Sequence, residues 1–560
     1  MAGLLLLPPP PLPISLLLLP LLLLLEVAPP GVAAPAAPGR SWSYHLLDDT
    51  DSSALCLDGS PGAFDHLPAS SPPPAGPPPP PRCQLAHGPS SGTTSTHFSY
   101  FIKTGGDLAV LSGWDNRADK CCRQSEHDCR WYMNVDNATA LGACESALRD
   151  GGGHCVPCPS HPNSSDANGC PDWSSPPAPG QVNATTSWQI HLAGGGWCYN
   201  GTDCAGRTKS YLGSSTLFNR SHVPTGGLLS ADAAENPRFS GWHKVQVRYC
   251  DGFSFTGDRD APVVVALPGG GGGGNRSSHQ RLFVRGRRVL RAALQALLPL
   301  GLADAEHVML TGDSAGGLAV FHATDFIGAF LHGNAPNLQT YKAAPVSGFF
   351  LDHVDVTGVP QYASALATAF TWHNASAGVN SDCVAALGPR CFFAQNAWAW
   401  VSTAPLFAVN SAMDLFQTLC IFTGKVYSGG CSGIAGWHDC RFDLNNCSAP
   451  QMAAMRGFEV DFIKTYGASL EAAQRKQPEL GHSGFLYSCH NHCAADSVLF
   501  DRITVAGVTV QAAVTTWWDG AQPAAAAAAA AQPVVQPPCL WAAAGTERRC
   551  NPTCYSPGDL

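Results

Sequence analysis

The stretch HVMLTGDSAGGLAVFHATDFIGAFL, residues 307–331, begins as an apolar run, passes a serine set between glycines, and continues as a small-residue and apolar helical pattern. A strand that feeds a tight turn and then a helix lifts the serine at the turn above the end of a sheet. Here that serine is Ser314, in the order Gly312, Asp313, Ser314, Ala315, Gly316. Glycines two residues to either side relieve the crowding of such a turn. The N–H of Ala315 would then face an oxyanion at a helix N-terminus. With 58 glycines in the chain, Gly-X-Ser-X-Gly alone carries little weight, and the plain alternative makes Ser314 a helix N-cap. The strand before and the helix after favour a nucleophile.

Outward from that turn, strand-like runs alternate with helical patterns, the mark of an α/β sheet. WQIHLAGGGW (188–197), HKVQVRYCDG (243–252), EHVMLTGDS (306–314), PLFAVNSAMD (405–414) and SGFLYS (483–488) read as strands. RLFVRGRRVLRAALQALL (281–298) and the segment 315–331 read as helices, the arginines of the first forming a solvated face. PGGGGGGN (268–275) lacks the strand-to-helix setting of a phosphate loop. The expected fold is an α/β-hydrolase-like sheet flanked by helices, with a cysteine-rich insert and a short disulfide-bearing C-terminal tail.

Composition narrows the function. The chain has 560 residues, 45% apolar and 13% charged, with a net charge of −9. Such a balance argues against nucleic acid and against anionic lipid as partners. Twenty-three cysteines point to an oxidising compartment and a disulfide framework, and the odd count leaves at least one thiol free or paired between chains. A leucine-rich start precedes small residues at 33–37, as in a signal peptide, and prolines at 8–11, 13 and 20 disfavour an uncleaved anchor. No later segment reads as a membrane span, so no stable membrane insertion is expected after cleavage. Eight glycosylation sequons, at Asn137, Asn163, Asn183, Asn200, Asn219, Asn275, Asn374 and Asn446, agree with secretion. The expected organisation is a signal peptide at 1–38, the start of a catalytic domain at 39–65, a Pro-rich and Cys-rich insert at 66–186, a catalytic domain at 187–520, and a spacer with a Cys-containing tail at 521–560. Oligomeric state is not legible.

A nucleophile of this type needs an oxyanion hole, an acid and a base. GGGW (194–197) follows a strand-like run, where a glycine-rich loop can turn N–H groups into a cavity. The acid and base should follow the serine in that order. Asp414, after PLFAV, sits where a carboxylate would leave a strand, but Asp352 and Asp439 lie in the same interval. His438, His482, His490 and His492 are the candidate bases, the last two in SCHNHC (488–493) at the end of a strand-like run. Residue chemistry alone leaves these alternatives open. A zinc knuckle built from Cys489, His490, His492 and Cys493, with Cys155 and Cys158, lacks a second correctly spaced cysteine pair.

LAGGGWCYNGTDCAGR (192–207), the block 228–258, VMLTGDSAGGLAV (308–320), LFAVNSAMDLFQ (406–417), WHDCRFDLNNCSAPQ (437–451) and SCHNHC together resemble the pectin acetylesterase family, a group that also contains the Notum carboxylesterase. The resemblance covers about residues 55–64 and 187–519. It implies a secreted serine esterase with no cofactor and no metal. It further implies Ser314 as nucleophile, Asp414 as acid, His492 as base, and the N–H groups of Gly196, Trp197 and Ala315 as the oxyanion hole. The implied substrate is an acetylated polysaccharide of cell wall or extracellular matrix; alternatives are removal of a longer acyl chain from a protein, or an inactive binding protein. Because a cysteine-rich secreted chain oxidises its thiols, Cys489 and Cys493 are expected to be oxidised and to hold the histidine loop. Two features depart from the family: Asp313 stands where plant members carry cysteine, and the segment 66–186 is unusually long.

Overall fold

The structure, a computed structural model, describes residues 40–47, 51–70, 184–219, 226–267, 278–427, 430–493, 497, 499–520, 533–536 and 551–554, together with four strands between 96 and 134. These residues form two compact units, divided after Ser71 and before Val182. In the smaller, Thr96–Thr104, Asp107–Asp115, Cys122–Ser125 and Asp128–Asn134 make an antiparallel sheet in the order second, first, fourth, third. The signal region, the glycine run at 268–275 and CVPC (155–158) lie outside the described residues.

The larger unit is built on nine strands: β1 Ser43–Leu46, β2 Ala63–Leu67, β3 Ser187–Leu192, β4 His243–Val247, β5 His307–Asp313, β6 Thr340–Val346, β7 Phe407–Ser411, β8 Ser483–Tyr487 and β9 Val534–Val535. They lie in the order β1, β2, β4, β3, β5, β6, β7, β8, β9. β1 and β2 pair antiparallel, β2 joins β4 antiparallel, and the rest are parallel. Parallel strands need cover on both faces. Side-chain alternation supplies it: Ile190, Leu192, Val308 and Leu310 face one way, packed with α1 Gly286–Leu297, α2 Ser314–Asn334, α3 Gln361–Trp372 and α4 Ala449–Lys476. Met309, Val346, Val409 and Phe485 face the other, under α5 Val510–Asp519. The result is a mixed sheet flanked by helices.

Several elements differ from the sequence reading. The expected helix 281–298 begins only at Gly286, because Ser278–Leu282 is a strand paired with Val263–Leu267. Its arginines form a solvated face only in part: Arg281 and Arg291 are exposed, but Arg285 is buried, Arg288 binds Asp258 at 2.6 Å, and the Arg287 guanidinium lies 3.5 Å from the centre of the Phe326 ring. β6 escaped notice because Lys342 and Pro345 interrupt its apolar pattern; the Lys342 ammonium is absorbed by the carbonyls of Trp517 and Trp518 at 2.9 and 2.8 Å. α2 is long and apolar enough by composition to cross a membrane, which corrects the expectation of no such segment, but most of it is buried. A helix apolar all round is the centre of a globular fold.

Among the described residues, six disulfides staple this unit: Cys56–Cys250, Cys198–Cys204, Cys383–Cys391, Cys420–Cys431, Cys440–Cys447 and Cys489–Cys554. The first ties the β1–β2 segment to the end of β4, and the last ties the tail to the end of β8.

Candidate active site

Ser314 sits where β5 becomes α2, and its φ is +53°. A left-handed backbone at a residue with a side chain costs about 1–3 kcal/mol and survives only where packing fixes it. The fixing contacts are visible. The first turn of α2 presses on the end of β3 so closely that a Cβ on Gly316 would stand 1.9 Å from the Leu192 carbonyl oxygen. Glycine is therefore required, and the close approach brings the loop after β3 beside the serine.

That loop holds Gly194 to Trp197. The Gly195 carbonyl accepts from Arg207, and the Gly196 carbonyl accepts from the Tyr249 hydroxyl at 2.7 Å. In a planar trans peptide the following N–H points opposite to the carbonyl. Binding those carbonyls on one side therefore directs the N–H groups of Gly196 and Trp197 to the other. Trp197 Nε1 donates to Ser254 Oγ at 2.8 Å, and Ser254 Oγ donates to the Ala315 carbonyl at 2.7 Å. The glycine loop and the turn at Ser314 are thus joined through Ser254. Arg207, Tyr249 and Ser254 were not singled out by sequence; each lies inside a family-like block, which was the available signal.

Asp414 and His492 meet. Asp414 is fully buried just past β7, with Oδ1 accepting the Gln417 N–H at 3.0 Å and Oδ2 lying 2.7 Å from His492 Nδ1. The rival residues are engaged elsewhere. Asp352 pairs with Arg390, and Asp439 pairs with His438 on the surface. His482 accepts the Leu406 N–H at 3.1 Å, deep in the core. His490 faces the Thr418 hydroxyl at 3.1 Å, and burial pushes its pKa down to about 4.

Three aromatic rings wall this corner. Phe350 and Phe416 lie 6.2 and 5.8 Å from the His492 ring, and both pack against Trp197, at 4.8 and 5.8 Å. The residue after the histidine reaches the residue before the serine: Cys493 Sγ is 3.8 Å from Asp313 Oδ2, and the Cys493 N–H donates to Ser347 Oγ at 3.0 Å. Cys489 is oxidised, as expected, but to Cys554, and Cys493 instead sits against a carboxylate, which corrects its expected oxidation. A metal knuckle on SCHNHC loses Cys489 to that disulfide. Among the described residues Cys198, Cys204 and His373 cluster with metal-ligand spacing, but the two sulfurs are bonded to each other.

Asp313 Oδ1 accepts from the Gly194 N–H at 2.9 Å and faces His191 Nε2 at 3.0 Å. Burial would raise its pKa; the hydrogen bond and charge of His191, the Gly194 N–H and the charge of His492 outweigh burial and hold it below the ordinary carboxylate value. Asp313 stays ionised beside the serine.

Comparison with known proteins adds the family. The Pectinacetylesterase family profile matches residues 163–539. Pectin acetylesterase 5 of Arabidopsis thaliana is 32% identical over 315 residues, 56% of this chain and 67% of that protein. Pectin acetylesterase 4 of the same plant is 32% identical over 315 residues, covering 56% and 70%. The palmitoleoyl-protein carboxylesterase NOTUM of Drosophila melanogaster is 30% identical over 181 residues, 31% of this chain and 25% of that protein. With a matching profile over more than half its length and these relatives, the chain belongs to the pectinacetylesterase family.

Proposed function

We propose that this protein is a secreted serine carboxylesterase of the α/β-hydrolase type that removes O-acetyl groups from an acetylated polysaccharide of cell wall or extracellular matrix. The observation that carries the reading is the Asp414–His492 contact of 2.7 Å, taken together with a serine at φ +53° that begins a buried helix. Family membership supports hydrolysis, and the relatives named pectin acetylesterase support the substrate class. Six disulfides support an oxidising, extracellular location.

In this reading Ser314 Oγ attacks the ester carbonyl while His492 Nε2 takes its proton. Asp414 holds His492 in the tautomer with Nδ1 protonated and stabilises the imidazolium. The N–H groups of Gly196, Trp197 and Ala315 receive the oxyanion. His492 then gives that proton to the departing sugar oxygen, which leaves as the hydroxyl, and acetyl-Ser314 remains. Water, deprotonated by His492, hydrolyses that ester and releases acetate. Each oxyanion donor contributes about 3 kcal/mol to such a transition state.

Wild-type protein should release acetate from acetylated pectin and cleave p-nitrophenyl acetate, and Ser314→Ala should do neither. Wild type inactive on an ester panel would point to a binding protein instead. A second reading rests on the wall formed by Trp197, Phe350 and Phe416, which offers an apolar face to a longer acyl chain. Rates over a p-nitrophenyl ester series separate the two: a fall beyond acetyl and propionyl supports the acetylesterase, and a rise toward octanoyl supports the deacylase.

A further inference from the structure

Beneath the nucleophile lies a line of buried polar side chains that the reaction above does not use. It starts at Lys244 on β4, which is fully buried and whose Nζ donates to Gln189 Oε1 at 2.9 Å. Gln189 Nε2 reaches Thr311 Oγ1 at 3.4 Å, and the same hydroxyl meets His191 Nδ1 at 3.0 Å. His191 Nε2 faces Asp313 Oδ1 at 3.0 Å, and that oxygen also accepts the Gly194 N–H at 2.9 Å. The strand register makes the line possible: Gln189 stands opposite Lys244, and His191 opposite Thr311. All five side chains point to the same face of the sheet, otherwise occupied by Met309, Val346 and Phe407.

Buried polar groups on an apolar face cost free energy unless they are hydrogen-bonded, so a line of this kind is rigid once complete. One end rests on the Leu228 carbonyl through Lys244 Nζ at 3.5 Å, and the other reaches Asp313, whose oxygen ends on the backbone of the glycine loop. The approach is tight: a Cβ on Gly194 would stand 2.5 Å from the Asp313 carbonyl oxygen.

We propose that Asp313 is a positioning residue, which, anchored through His191, Thr311, Gln189 and Lys244, pins the Gly194 N–H and so sets the glycine loop at the distance from Ser314 that the oxyanion requires. The inference rests on the serine-esterase reading of the same site. Asp313 acts through Gly194 and touches no reacting atom. Arg207 and Tyr249 orient the loop's carbonyls from outside, and Asp313 fixes the loop's near end against the nucleophile strand. The titratable groups facing Asp313 are His191 from β3 and His492 and Cys493 from the loop after β8. Its charge is thus partnered, and its hydrogen-bond geometry is the part that does the positioning.

Two substitutions separate position from charge. Asp313→Asn keeps an oxygen where Oδ1 stands, able to accept from Gly194 and His191, and removes the charge. Asp313→Ala removes the acceptor. With p-nitrophenyl acetate, Asp313→Ala should lose about 10- to 100-fold in kcat with little change in KM, because a displaced donor is missed only in the transition state. Asp313→Asn, the variant expected to fold if the alanine does not, should stay within about fivefold of wild type. A trifluoromethyl ketone, which adds to the serine and places an oxyanion in the hole, should bind Asp313→Ala more weakly by about the same factor as kcat falls, with acetate binding unmoved. Unchanged kcat in Asp313→Ala, a loss confined to KM, or Asp313→Asn as impaired as the alanine would each overturn the proposal. Wild-type turnover that Ser314→Ala abolishes is measured alongside. Failure of that control condemns the esterase reading, whereas failure of the Asp313 series with the control intact condemns only the positioning role.

Discussion

His490 and His492 are two residues apart and chemically alike, yet the fold gives them opposite surroundings. His492 has a carboxylate 2.7 Å from Nδ1, whereas His490 has a threonine hydroxyl and a buried site that drives its pKa down to about 4. A base needs the first environment. Accordingly, His492→Ala should abolish turnover, while His490→Ala should retain kcat to within about tenfold and mainly lower the melting temperature. Comparable loss of kcat in both would mean that the wrong imidazole had been chosen. Asp414→Asn should lower kcat by about 10⁴-fold with the fold intact, because the amide favours the wrong tautomer of His492; steady-state kinetics beside circular dichroism test both halves. The choice between Asp352, Asp414 and Asp439 was open in the sequence because all three follow Ser314. Burial and pairing separate them, and neither is a property of chain position.

At the scale of elements, the strand, turn and helix around Ser314 were legible because every local requirement is written there. An apolar strand, a glycine at each tight approach and a small-residue helix start suffice to define them. Gly316→Ala should destabilise by several kcal/mol or prevent folding, since the new methyl meets the Leu192 carbonyl 1.9 Å away, with no flexible partner to yield; the urea midpoint or soluble yield reads this. The tail was less legible. SCHNHC shows two cysteines close together, but Cys489 reaches across 65 residues to Cys554. Disulfide partners are set by where chain ends dock, which spacing does not reveal. Cys554→Ser should lower stability by about 2–4 kcal/mol and reduce kcat, because the histidine loop loses its tether. An unchanged melting temperature would argue against that bond in solution.

At the scale of the whole molecule, the described residues include six histidines pulled far below their ordinary value by burial. His66 and His373 are pushed to about 3, and His243, His322, His482 and His490 to about 4. In the unfolded chain each titrates near 6.5. Between that value and about 4 the unfolded state binds more protons, so stability is complete above pH 6.5 and declines as pH falls. Each histidine contributes a slope of about 1.4 kcal/mol per pH unit in that window. Asp251, raised to about 6 by burial, works in the opposite direction, gaining stability as pH drops from 6 toward 3.8. Asp65, also raised by burial, works in the same direction as Asp251, and two acids against six bases leave a net loss. Urea denaturation should therefore show a lower midpoint at pH 5 than at pH 7, with a shallower loss in His322→Gln; equal midpoints would contradict the buried neutral histidines.

Local pattern along the chain was enough for the alternating strands and helices, the elbow at Ser314, the disulfide chemistry and, through six ordered blocks, the family. These depend on near neighbours, whose spacing the sequence fixes directly. The sheet order, the recruitment of Arg207 and Tyr249 behind the glycine loop, the Asp414–His492 contact, the partner of Cys489 and the polar line from Lys244 to Asp313 arose from folding. Each joins residues from separate strands or loops, and such meetings depend on register and docking, for which the one-dimensional pattern carries no distance.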